Sequence, residues 1–395
     1  MSRRLTSSIL RAEIEAGFDM KICAAAAAFC LSLTAGRALA DGYANFNAGV
    51  AAAQRFDTLD AIKSLSAALA TADLPSHLRP TAYAARGQEY MEQKNYDAAL
   101  ADFSDALRLK PDAIYYVQRS VVRRKKRQLD EALADCNSAI ALQPNNWRLH
   151  SLRIGLLVDA KRFDDASAEY TAFMTKRPDD LLFLLGRAEV FRAAGQYQKA
   201  LADAEAARQQ NTQWGAPYLT LGTIHMAQGD LSQALDNFDT YAFWDRNPAA
   251  PIMKGEVQWA LGRFDAAQSS FEASLDRYRT QPYSLLWLTL TAVRLGREPR
   301  EKYTAPFFDI DLTSWPGPLV SLYIGKSTPE AVLKVRDEMD KSDDNRCEAD
   351  FFVGEWQQTH GDQKDGRSLL QEASSACERD WQTRKLATID LARVP

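Results

Sequence analysis

Apolar and polar positions follow a helical period over most of the chain, and that pattern itself recurs. Alanines stand at Ala99, Ala132, Ala166, Ala200, Ala234 and Ala267, separated by 33, 34, 34, 34 and 33 residues, a spacing typical of stacked helical repeats. Three residues before each is a large apolar side chain (Tyr96, Leu129, Phe163, Tyr197, Leu231, Phe264), and four after it Phe103, Cys136, Tyr170, Ala204, Phe238 or Phe271. These positions share one helix face. A second helical stretch precedes each group across a short turn, as in Glu92-Gln93-Lys94-Asn95, Ala194-Gly195-Gln196 and Gln228-Gly229-Asp230. Prolines at Pro111, Pro144 and Pro178 mark where second helices end, because proline has no N–H to continue them. Each unit is therefore expected to be a helical hairpin. Its helices cross at Gly87, Ser120, Ala188, Gly222 and Gly255, 12 residues before each alanine; the third unit departs, with Ile154 there.

This pattern resembles the tetratricopeptide repeat family. One unit matches it almost position by position, Tyr83…Arg86-Gly87…Tyr90…Ala99…Phe103…Ala106…Pro111. The resemblance implies an all-α, right-handed superhelical solenoid over residues 41–281, about seven units with a degenerate first one at 44–76, whose concave groove holds a partner. The groove positions it implies on the first helices are Gln88, Met91, Val121, Arg124, Glu189, Arg192, Thr223, Met226, Glu256 and Trp259. Each has two readings, partner contact or packing between repeats.

Four units carry arginine one residue before the crossing position, Arg86, Arg119, Arg153 and Arg187, and sixteen residues on from each stands an acid, Asp102, Asp135, Glu169 and Asp203. In the two later units Leu221 and Lys254 replace the arginine, and Asn237 and Ser270 the acid. Two positions that change together along one chain are expected to form an ion pair inside the hairpin, because a guanidinium near the interior needs a partner.

The distal third, residues 282–395, reads as a helical extension with a repeat-like hairpin at 347–377 and a capping helix from Trp381 to Arg393. Leu286-Trp287-Leu288, Trp315…Leu322-Tyr323-Ile324-Gly325 and Phe351-Phe352-Val353-Gly354-Glu355-Trp356…Gly361-Asp362 resemble the C-terminal region of NlpI-type envelope lipoproteins. That resemblance implies a periplasmic adaptor for cell-wall hydrolases or proteases, with other envelope proteins or peptides as partners. Cys347 and Cys377 fall at the two ends of the distal hairpin that lie side by side, so a disulfide is expected. It would contribute about 3 to 4 kcal/mol by chain entropy. Cys136 takes a slot filled by aromatics elsewhere and reads as a buried thiol.

Residues 1–40 read as a cleavable signal: Lys21 precedes an apolar stretch over 22–35, and Ala38-Leu39-Ala40 is a signal-peptidase site. Translation is expected to start at Met20. A stretch this short falls below the about 20 residues a membrane span needs, and Cys30 follows Phe29 rather than a small residue, so a lipid anchor is not expected. Removing 5 basic and 3 acidic residues from 48 and 52 leaves 43 and 49, a net charge of −6. Nucleic acid is not an expected partner at that charge, and self-association is left open.

No catalytic residue, metal ligand set or cofactor is expected. Gly325-Lys326-Ser327 resembles the end of a phosphate loop, but Val320 stands where that loop needs glycine. His77, His150, His225 and His360 are far apart. The basic run Arg123-Arg124-Lys125-Lys126-Arg127 has two readings, a solvated helix end suited to the helix dipole or a contact for an anionic envelope polymer or lipid.

Overall fold

In the computed structural model, residues 41–245, 247, 249–297, 310–339, 344–377 and 381–393 are described. The expected signal at 1–40 and its cleavage site lie outside the described residues, as does the proline-containing stretch 298–309. All regular structure among the described residues is helical, in twenty helices. The chain divides at residues 177/178 into two compact units. That division falls inside the repeat array rather than at 281, because the distal helices share one core with the repeats just before them.

The N-terminal unit consists of four hairpins: α1 (Asp41–Gln54) with α2 (Thr58–Ala70), α3 (Arg79–Glu92) with α4 (Tyr96–Leu109), α5 (Ala113–Lys125) with α6 (Leu129–Leu142), and α7 (Trp147–Asp159) with α8 (Phe163–Lys176). Each first helix ends in a turn whose carbonyl five residues back accepts from the backbone, as in Asn95 N to Tyr90 O at 2.8 Å and Gln128 N to Arg123 O at 2.9 Å. The turn needs a left-handed residue, and here all four are not glycine: Phe56, Lys94, Arg127 and Lys161, with φ between 58° and 62°. Where the helices cross, small meets large. A Cβ on Gly87 would sit 3.0 Å from the Phe103 ring, and one on Gly49 2.6 Å from Leu65, so the first hairpin obeys the same spacing.

The C-terminal unit continues with α9 (Leu181–Ala193) and α10 (Tyr197–Gln210), α11 (Gly215–Gln228) and α12 (Leu231–Trp244), and α13 (Ala249–Ala260) and α14 (Phe264–Arg277). Beyond them come α15 (Pro282–Arg294), α16 (Gly317–Tyr323), α17 (Pro329–Asp337), α18 (Asp344–His360), α19 (Gln363–Ala376) and α20 (Trp381–Leu391). Its turn residues with positive φ are Gly195, Gly229, Gly262, Gly296 and Gly325. Gly222 and Gly255 each leave room for a ring, since a Cβ would approach Phe238 or Phe271 to 2.5 Å. Gly354, Gly366 and Leu370 carry the same spacing into α18 and α19, where a Gly354 Cβ would meet the Gly366 carbonyl at 3.0 Å.

An aromatic cluster joins the repeats to the distal helices. Trp287 of α15 stacks on Phe271 at 5.8 Å and meets Trp259 at 5.4 Å, Phe352 at 5.3 Å and Phe351 at 5.6 Å. Rings of this size dominate the apolar area removed from water. Cys347 and Cys377 are disulfide-bonded with Cα atoms 5.7 Å apart, closing the base of the α18–α19 hairpin.

Candidate functional site

The arginine ladder is absorbed by the hairpins themselves. Arg86 donates from Nε and Nη2 to the two carboxylate oxygens of Asp102 at 2.8 and 2.7 Å, and Arg119 does the same to Asp135 at 2.9 and 2.6 Å. Arg153 engages both oxygens of Glu169 at 2.8 and 2.7 Å, and Arg187 those of Asp203 at 2.7 and 2.8 Å. The bond to Asp102 raises the Arg86 guanidinium further above its ordinary value. The remaining Nη1 of three arginines reaches the preceding second helix, at Ser66 and Ser104 (3.0 Å each) and Asn137 (3.1 Å). Sequence reasoning missed these staples. Their signal was a polar residue directly after Leu65, Phe103 and Cys136.

In the two later repeats the ladder is replaced piece by piece. Leu221 is buried in apolar contact, Lys254 pairs with Asp239 at 2.5 Å, and the buried Ser270 hydroxyl donates to Gln258 at 2.7 Å. Asn237 donates to the Gln233 carbonyl of its own helix at 2.8 Å.

The expected groove positions on the first helices of the N-terminal unit, Gln88, Met91, Val121 and Arg124, are all half-buried. Gln88 donates to Glu92 at 3.4 Å. Arg124 crosses from α5 to Asp159 of α7 at 2.6 Å, passing beside Gly155. The basic run is largely occupied: Arg123 bonds to Asp135 at 2.6 Å and to the Glu131 carbonyl at 3.1 Å, Arg124 to Asp159, and Lys126 to Asp97. Lys125 and Arg127 are exposed. Cys136 is fully buried, its thiol pushed up to about 12 by burial, which keeps it protonated and unreactive.

The C-terminal unit differs from the sequence expectation. Met226 (1% exposed), Glu256 (2%) and Trp259 (0%) do not face an open groove. Arg192 is buried too, paired with Glu189 at 2.9 Å, and Glu189 also accepts from Thr223 at 3.2 Å. Over Glu256 and Trp259 the cover is the chain's own α20, which sequence reading assigns only to capping the end of the stack. Gln382 donates to Glu256, Arg393 donates to the Trp259 carbonyl at 3.1 Å and to the Ala260 carbonyl, and Lys385 lies against Gly229. Below it, Arg294 Nη2 bridges Glu355 (2.5 Å) and Asp390 (2.7 Å), both fully buried. Burial, then the neighbouring Asp390, holds the Glu355 carboxyl well above its ordinary value of 4.5.

Among the described residues no helix is long and apolar enough to cross a membrane, and no group of three or more His, Cys, Asp or Glu side chains is placed to hold a metal.

A sequence model of the tetratricopeptide repeat matches residues 80–113, and a second tetratricopeptide repeat model matches 156–213 and 252–301. Among solved structures, the chain is similar to a tetratricopeptide repeat protein from Parabacteroides merdae, at 15% identity over 64% of this chain and 98% of that one, with a TM-score of 0.47. It is also similar to PilW, a widely conserved type IV pilus biogenesis factor (18% identity, 52% and 96% coverage, TM-score 0.38), and to MamA (15%, 44% and 93%, TM-score 0.38). At such scores no functional argument is taken from them. The curated proteins contain no match, so the envelope-lipoprotein resemblance of the distal region finds no support there.

Proposed function

We propose, since this chain is a tetratricopeptide-repeat protein and such repeats are protein-binding scaffolds, that it gathers envelope proteins on the first-helix face of its N-terminal unit and performs no chemistry of its own. The observation that carries this reading is the half-buried first-helix face that lies beside the arginine ladder. Arg86, Arg119 and Arg153 are consumed in holding the hairpins together, while Gln88, Met91, Val121 and Arg124 stay half-buried on a face assembled by α3, α5 and α7. A polarizable methionine with Val121 beside it suits an apolar segment, and Arg124, held by Asp159 at 2.6 Å, borders that face with a side chain still 33% exposed. The repeat framework alone names no ligand, so partner identity rests on this face.

An extracytoplasmic setting is supported by the leader-like residues 1–40 and by the Cys347–Cys377 disulfide, a bond that persists in oxidising compartments. Binding of an anionic polymer through the basic run is the weaker reading, because Arg123, Arg124 and Lys126 already hold carboxylates.

The test is capture from an envelope extract by the chain starting at Asp41 and by its Met91→Ala/Arg124→Glu variant. Proteins retained by the first and lost from the second, at equal melting temperature, support the scaffold. An identical captured set, or polymer alone, overturns it.

A further inference from the structure

The C-terminal unit keeps a second first-helix face, formed by α11, α13 and α15, and that face is occupied. We propose that α20 is a displaceable occupant of this face, and that the partner it yields to is a helical segment presenting a carboxylate to Arg294 and a side-chain amide to Glu256. This rests on the scaffold reading but concerns a different face, so the two stand or fall by different measurements.

The occupant shows what the face accepts. One side of α20 is apolar and small, with Leu386 and Ala387 buried, so a helix can lie close against the first helices. The polar anchors come at fixed places on it: Gln382 one turn before Leu386 meets Glu256, and Asp390 one turn after it meets Arg294. Arg393, just past the helix, holds the carbonyls of Trp259 and Ala260 and lies over the Trp259 ring at 5.6 Å. A partner helix with the same order of amide, small apolar pair and acid would reproduce every anchor within about three turns.

The docking is poorly satisfied, unlike the arginine ladder. Asp390 brings a second carboxylate to an arginine that Glu355 already engages. Among the described residues, buried Trp259 Nε1 and Arg294 Nε have no hydrogen-bond partner, and buried polar atoms left so disfavour the state that buries them. Releasing α20 would open these groups to water or to a better-fitting partner. Release also parts α20 from α19, its principal neighbour, while the Cys347–Cys377 bond holds α18 and α19 together four residues before Trp381. A short helix that follows a covalently closed hairpin can open as its own unit.

The test uses the full chain and a fluorescent peptide of residues 381–393. In the wild type, hydrogen exchange should reach the α20 amides ahead of those of α15, and the peptide should bind weakly. Leu386→Asp, which drives a charge into the occupied face from α20's side only, should bind the peptide at least about tenfold more tightly, and Gln382→Ala/Asp390→Ala within the peptide should abolish that gain. The proposal is overturned if wild-type α20 exchanges only together with α15, or if the folded Leu386→Asp chain gains no affinity for the peptide. If that variant does not fold, the wild-type exchange order decides alone. Failure here would leave capture by Met91 and Arg124 untouched.

Discussion

The two units build the same hairpin from opposite materials. In the N-terminal unit the helices are clamped by buried arginine–carboxylate pairs that also reach back to the preceding hairpin, and the turns are made by Phe56, Lys94, Arg127 and Lys161 in left-handed conformation. From α11 onward, the C-terminal unit clamps with apolar contact, Gly222 under Phe238 and Gly255 under Phe271, and among the described residues its positive-φ turn positions are all glycine. The polar version is periodic and leaves its first-helix positions half-buried. The apolar version grows into the cluster around Trp287 and ends with its face closed by α20. The difference teaches that the spacing, not the chemistry, defines the repeat, and that apolar first helices call for a lid.

The largest effect separating the units should come from truncating equivalent face positions. Trp259→Ala removes a ring packed against Trp287 and Phe351 and is expected to cost about 3 to 5 kcal/mol. Met91→Ala should cost under about 1 kcal/mol. Denaturant unfolding of the two variants checks this, and equal costs would break the comparison.

Next in size are the clamps. Asp102→Ala strands the Arg86 guanidinium, whose side chain is 19% exposed, and should lower stability by about 2 to 3 kcal/mol. Asn237→Ala, at the equivalent place in the C-terminal unit, removes a bond to its own helix and should stay within about 0.5 kcal/mol.

Acidity should act on one unit only. The Glu355 carboxyl, facing Arg294 of α15, Asp390 of α20, Tyr323 of α16 and Arg393, is held above its ordinary 4.5 by burial and by Asp390. A carboxyl whose folded value is raised favours the folded state below its unfolded value and loses that contribution as pH climbs through the folded one. Docking of α20 should therefore weaken as pH rises above 4.5, read as faster exchange of its amides after correction for the intrinsic rate. Glu355→Gln should flatten the dependence, and the N-terminal unit should show none from this source.

The smallest effect lies in the turns. Gly229→Ala puts a Cβ into a left-handed position 2.9 Å from the Lys385 Nζ and should cost about 1 kcal/mol. Lys94→Gly relieves the reverse strain but gives the unfolded chain more freedom, so its melting temperature should barely move.

Most of the array was legible because each relation in it is local: crossing residue, alanine and ring recur at separations of 12 and 16, and Arg86 and Asp102 change in step with their counterparts. The Ser66, Ser104 and Asn137 staples were readable by the same device. The covering of Glu256 and Trp259 was not, because it depends on contacts such as Gln382 with Glu256, 126 residues apart. Amphipathic patterning shows that α20 has an apolar side, not which surface takes it. For the same reason the first-helix positions looked alike in both units, while tertiary packing leaves one set half-buried and buries the other.

Thiol labelling tests this asymmetry most directly, since Cys136 is buried and Cys347 is bonded to Cys377, leaving the chain from Asp41 with a silent background. Met91→Cys and Glu256→Cys, each in the folded protein, would be reacted with a maleimide under native conditions. The account predicts rapid modification at 91 and protection at 256 that disappears when Leu386→Asp is added. Equal rates at the two positions, in a protein whose helicity and melting are unchanged, would contradict it.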